Sequence, residues 1–309
     1  MGLMRTLLLK ASESRWLADH ASRRGFAQRA VRRFMPGEDI AAALTAAEQL
    51  GERNIPTLIT LLGEAITNRS EAEQVAEHYV DALERIERRG LETQLSVKLT
   101  QLGLDISRDL CAEQLATVVE RAAALGNFVC IDMEGSPYIG ATLDIFRSVR
   151  PDHPNVGICL QAYLYRTAED LDSLLPLAPS VRLVKGAYNE PPRIAFPKKA
   201  DVDANYFKLA KRLLAEDARP EGVTPAFGTH DLRLVTRIRD FAEGAGIAKS
   251  GYEIQMLYGI RREEQLRLAA DGNVMRTLIS YGGAWFPWYM RRLAERPANL
   301  WFVARSVLG

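Results

Sequence analysis

The rhythm of apolar and polar positions changes near residue 55. Before it, residues 14–21, 25–35 and 39–51 carry apolar side chains every three or four positions among Arg and Glu, which predicts amphipathic helices and a helical arm over residues 1–50. After it come short β-branched runs at 57–64, 95–100, 128–134, 156–163, 181–188, 223–230, 252–259 and 274–281. Segments 70–89, 112–125, 204–217, 232–245 and 261–270 lie between them with helical periodicity. Eight β/α alternations predict an α/β fold, a distorted TIM-like (β/α)8 barrel over residues 51–309, with a final helix over its carboxyl face. An open doubly wound sheet competes, but no Gly-rich phosphate turn follows the first run.

Composition narrows the classes. The 309 residues are 47% hydrophobic and 26% charged, as in soluble globular chains, and the net charge of +1 argues against a nucleic-acid partner. Cys111, Cys130 and Cys159 form no CxxC pair and suit a reducing compartment. The apolar stretch at the N-terminus is too short for a signal peptide and is followed by Lys10, so a cytoplasmic location is expected. The match of the first six residues to a myristoylation pattern is read as chance. No run is long enough to span a membrane, which leaves peripheral contact at the inner face of the cytoplasmic membrane.

Reactive groups of such barrels collect where the strands end. Here those positions carry Glu64, Lys98, Asp132 with Glu134, Gln161, Arg182 with Lys185, Thr229 with His230, and Gln255. One charged residue at a strand end commonly marks only the meeting with water; a polar group at nearly every end asks for more. Arg182 and Lys185 are three apart and would face oppositely along a strand, so one of them must lie in loop. Past the last strand, Trp288, Arg291, Arg292 and Glu295 share one face of a helix that opens with Pro287. Two adjoining guanidiniums beside an aromatic are best reconciled by a bridging carboxylate. The bland alternative is a solvated helix on which Glu295 screens the arginines.

Several motifs resemble the proline dehydrogenases, including the catalytic barrel of the bifunctional proline utilisation proteins. They are Leu62-Gly63-Glu64, Ser96-Val97-Lys98-Leu99, Ile131-Asp132-Met133-Glu134, the segment 160–166 around Gln161, the segment 181–188 with Arg182 and Lys185, Gly228-Thr229-His230-Asp231, the segment 253–259 with Gln255, and 291–296. The chain is similar in layout to a bacterial monofunctional member. The resemblance implies FAD on the carboxyl face of the barrel and oxidation of L-proline to Δ1-pyrroline-5-carboxylate, by hydride transfer to flavin N5. It further implies a quinone acceptor and a separate pyrroline-5-carboxylate dehydrogenase that takes the product.

By the same resemblance, Arg291, Arg292 and Lys98 bind the proline carboxylate, Glu295 orients the arginine pair, and Leu257 lies near the substrate. Arg182 lies near flavin N5, and Asp132 supports Lys98 and Arg182. Met133, Gln161, Lys185, Gly186, Ala187, Thr229, His230 and Gln255 touch the cofactor. Glu64 pairs with Arg291 as a gate. The chain departs from the family at Leu278 and Ser280, where an aromatic and a proline are frequent; either Tyr281 replaces the aromatic cover from a neighbouring position or the pocket is more open.

Rival readings are a Schiff-base aldolase using Lys98 or Lys185, a metal-dependent hydrolase using Asp132, Glu134 and His230, and a non-catalytic scaffold. No metal is expected. Residues 244–250 imitate a phosphate loop but lack the glycine before Lys249 and precede a strand, so nucleotide triphosphate binding is rejected.

Overall fold

A computed structural model describes residues 31, 33–63, 66–220, 223–286 and 289–290. Eight parallel strands close into one barrel in chain order, β1 pairing with β2 on one side and β8 on the other. The strands are β1 (Thr57–Leu61), β2 (Thr93–Val97), β3 (Val129–Ile131), β4 (Val156–Gln161), β5 (Ser180–Val184), β6 (Ala226–Gly228), β7 (Glu253–Leu257) and β8 (Val274–Tyr281). Helix α1 (Ile40–Gly51) precedes them. Helices α2 (Arg69–Arg88), α3 (Arg108–Ala124), α4 (Ile139–Val149), α5 (Thr167–Leu174), α6 (Lys199–Leu213), α7 (Leu232–Gly244) and α8 (Arg262–Ala270) follow β1 to β7 in turn.

Local chemistry sets the helix starts. Asp39 accepts from Ala42 N at 2.7 Å and Asn68 from Glu71 N at 3.0 Å, while Glu71 reaches back to Thr67 N. These bonds satisfy donors that a first turn leaves open. Ser107 and Asp231 cap α3 and α7 in the same way.

Alternation along each strand divides two environments. One set, with Ile59, Leu95, Val97, Ile131, Ile158, Leu183, Phe227 and Ile254, joins the apolar core beneath the helices. The other set faces inward and mixes small or apolar residues such as Leu58, Cys130, Cys159 and Ala226 with polar ones. Ser96 on β2 hydrogen-bonds Arg182 on β5 although the two strands are not neighbours, a contact that only the interior allows. At the floor, Arg276 of β8 is 4% exposed and forks onto Glu253 of β7 at 2.8–3.1 Å, while its Nη1 donates to Thr57 O of β1 at 3.1 Å. The seam between β8 and β1 is covered by α1, whose Ala43, Leu44 and Ala47 are buried in the core.

The strands stop earlier than their sequence runs. β3 ends at Ile131 and β6 at Gly228, so residues read as strand up to 134 and 230 are loop. Lys185 likewise lies just beyond β5, which resolves its conflict with Arg182. Tyr281 faces the helix layer, its hydroxyl 2.8 Å from His78 Nε2 on α2, and therefore does not supply the aromatic cover expected of it. Most of the final helix with its Trp288, most of the arm, and Glu64, Arg291, Arg292 and Glu295 lie outside the described residues.

Candidate active site

Because all strands are parallel, their carboxyl ends share one rim, and Lys98, Asp132, Gln161, Thr229 and His230 all sit at or just past such ends. Asp132 is the hub. Its Oδ1 accepts from Ser96 Oγ at 2.9 Å and makes a close ion pair with Arg182 Nη2; its Oδ2 lies 3.4 Å from Lys98 Nζ. Lys98 also donates to Thr60 Oγ1 at 3.1 Å. Burial would raise the Asp132 carboxyl, but Arg182, Lys98 and the Ser96 hydroxyl outweigh it and hold the group below the usual carboxylate range. Glu134, by contrast, is pushed up by burial, only partly offset by its bonds from Thr100 N at 3.1 Å and Thr100 Oγ1 at 2.8 Å.

Arg182 is 4% exposed, and its Nε and Nη1 have no partner among the described residues. Two amide oxygens are in the same condition. Gln161 gives its Nε2 to Met133 O at 3.0 Å and Gln255 gives its own to Glu253 Oε2 at 2.8 Å, so each amide's orientation is dictated and each Oε1 is left buried without a partner among the described residues. In the barrel register Gln161 pairs with Val184, Val184 with Gly228, and Gly228 with Gln255, which places both glutamines in one layer. Buried polar atoms of this kind call for a ligand or water.

Around this layer stand the remaining expected residues. Gly186 has φ of +111°, and a Cβ there would lie 2.2 Å from the Tyr163 ring, so the turn carrying Lys185, Gly186 and Ala187 needs glycine. Lys185 Nζ is held by Asp203 at 2.5 Å and Asp231 at 2.9 Å, with Lys199 on the same two carboxylates. Burial works against Asp231, but those two ammonium groups hold its carboxyl well below the ordinary range. Thr229 Oγ1 accepts from Asp231 N at 3.1 Å, and His230 Nε2 accepts from Leu257 N at 3.0 Å, tying the end of β6 to the last residue of β7. Met133 is buried.

Sequence reasoning missed Ser96 and the floor pair of Glu253 and Arg276. It also named Asp132 and Arg182 without seeing that one serine joins them. Both candidate Schiff-base lysines sit in ion pairs, the reverse of the apolar surroundings such a nucleophile uses. Of the hydrolase candidates, Asp132 is engaged by cations, Glu134 by Thr100, and His230 by Leu257 N. Cys130, inside the barrel, is pushed up to about 12 by burial and stays a thiol. No helix among the described residues is long and apolar enough to cross a membrane.

Comparison with known proteins gives the family. Residues 43–305 match the sequence family described as "Proline dehydrogenase". "Proline dehydrogenase 2" of Bacillus subtilis subsp. natto is 36% identical over 307 residues, covering 99% of both chains. "Proline dehydrogenase" of Deinococcus radiodurans is 36% identical over 281 residues, 89% of each chain. Among solved structures, proline utilization A (PutA) from Bdellovibrio bacteriovorus inactivated by N-propargylglycine superposes with a TM-score of 0.80 at 27% identity. That match covers 87% of this chain and 33% of the other, so the chain spans about a third of that protein's length.

Proposed function

Because this chain belongs to the proline dehydrogenase family, whose reaction is the oxidation of proline, we propose that the barrel mouth binds L-proline against FAD and forms Δ1-pyrroline-5-carboxylate. The observation that carries the cofactor assignment is the set of orphaned buried groups on β4, β5 and β7: donors on Arg182, acceptors on Gln161 and Gln255. A flavin ring, with several acceptor atoms and a ring N–H, has the complementary polarity. When bound, FAD supplies the hydride acceptor.

The protein's own residues bind and orient. Lys98 with Arg291 and Arg292 grips the substrate carboxylate, Glu295 orients the arginine pair, and Leu257 presents an apolar contact to the proline ring. Arg182 directs a fixed positive charge at the electron-accepting site, and Asp132 keeps both Arg182 and Lys98 in place. Met133, Gln161, Gln255, Thr229, His230 and the turn of Lys185, Gly186 and Ala187 hold the cofactor. The secondary amine gives its proton to solvent. Electrons pass on to a quinone met by peripheral membrane contact, and a separate pyrroline-5-carboxylate dehydrogenase takes the product.

The test is the absorbance of purified protein. A flavin spectrum that bleaches when L-proline is added anaerobically supports the reading, while a colourless protein indifferent to added FAD removes it. Glu64 and Arg291 are assigned to a gate over bound substrate. Glu64→Gln is expected to raise KM for proline more than it lowers kcat, and equal losses in both count against the gate.

A further inference from the structure

We propose that Ser96 is a positioning residue that keeps Arg182 from closing onto Asp132 as a two-pronged fork, leaving the separate Nε and Nη1 donors of the guanidinium for the ligand. The inference deepens the function proposed above and rests on it for its kinetic arm. Ser96 is fully buried, and its single oxygen does two things: it donates to Asp132 Oδ1 at 2.9 Å and accepts from Arg182 Nη2 at 3.0 Å. A hydroxyl is the smallest side-chain group able to do both at once.

An isolated Arg and Asp pair favours two parallel N–H to O bonds. In this barrel the pair meets through Nη2 and Oδ1 alone, because Ser96 shares both of those atoms and Lys98 draws on Oδ2. Nε and Nη1 are thereby left without a hydrogen-bond partner among the described residues, the Cys159 thiol lying beside the guanidinium. The serine backbone is held as well. Tyr79 of α2 donates its hydroxyl to Ser96 O at 3.4 Å and accepts from Leu61 N at 3.3 Å, fixing β2 against β1 where their ladder has ended. Removing the Ser96 hydroxyl takes away the group that competes for Nη2 and Oδ1. The pair is then free to rotate into the fork, consuming one of the two donors otherwise left for the ligand.

The test compares Ser96→Ala and Ser96→Thr with the parent protein. A crystal structure of the alanine variant is expected to show Arg182 on Asp132 through two nitrogens, a readout that does not depend on turnover. With flavin bound, kcat for proline is expected to fall by up to about a hundredfold, as for a displaced positioning group, with KM changed far less. The threonine variant, which retains the oxygen, is expected to recover most of the loss. A single-point contact and parental kcat in the alanine variant would overturn the proposal, as would equal kcat values for the alanine and threonine variants when both are impaired. Should the alanine variant fail to fold, Ser96→Cys, whose thiol is a weak hydrogen-bonding group, is read by the same structure and ratio. If the parent protein itself is not bleached by proline, the functional reading fails, while the crystallographic arm still decides the role of Ser96.

Discussion

Asp132 and Glu134 are two residues apart, yet their surroundings drive them in opposite directions, and each direction has a measurable consequence. The folded Asp132 carboxyl is depressed by Arg182 and Lys98 against the pull of burial. Its contribution to stability is therefore present above the ordinary carboxylate range and is lost as pH falls through the depressed folded value. Asp132→Asn leaves Arg182 buried without a counter-charge and is expected to cost about 3 kcal/mol or more in urea unfolding at pH 7, together with most proline turnover. Glu134 is raised by burial, so its ionised form costs stability above its folded value and nothing at acidic pH, where it is protonated in both states. Glu134→Gln keeps an acceptor for Thr100 N. Its Tm is expected to equal or exceed the parent's at pH 8, with the gap closing toward pH 5; a gap that widens on acidification contradicts the assignment.

At the scale of elements, Tyr79 shows how a helix finishes a sheet. The pairing of β1 and β2 ends at Ile59 with Leu95, and the Tyr79 hydroxyl bridges the separating strands through Leu61 N and Ser96 O. Tyr79→Phe is expected to cost about 1–2 kcal/mol and to speed hydrogen exchange at the Leu61 amide. Unchanged exchange there would refute the bridge. The order of strands and helices was legible because parallel strands buried on both faces read as compact apolar runs. Strand ends were less so. After β3 and β6 the segments Asp132-Met133-Glu134 and Thr229-His230 keep a strand's alternation of buried and half-buried positions although they are loop, so the pattern alone does not mark where the ladder stops. Lys98, Asp132 and Arg182 stood out as charges in such runs, whereas Ser96 did not, since a small hydroxyl in a strand carries no mark of a partner three strands away. The pair of Glu253 and Arg276 did leave a mark that went unread. An arginine third in the strand 274–281 has no water-facing position in a closed barrel and must find its counter-charge inside.

For the whole molecule, that floor pair ties β7 to β8 and, through Thr57 O, β8 to β1, so it belongs to barrel closure rather than to one strand. Arg276→Met alone is expected to destabilise by about 3 kcal/mol because Glu253, its side chain 13% exposed, is left with its charge unmatched. Combining it with Glu253→Gln should return part of that loss, giving a coupling energy on the order of 2 kcal/mol in a double-mutant cycle. Strict additivity would mean that the two side chains act separately.

The placing of α1 over the seam between β1 and β8 bears on how the chain is made. A ribosome releases α1 and β1 before the other seven strands, but the strand that completes their surface is the last of the eight to emerge. Until then the nascent polypeptide carries an open strand edge and a greasy helix with nothing to cover, the condition in which chains adhere to one another or engage chaperones. Synthesis stalled before residue 274 should accordingly yield aggregates or chaperone-held fragments, not a stable half-barrel.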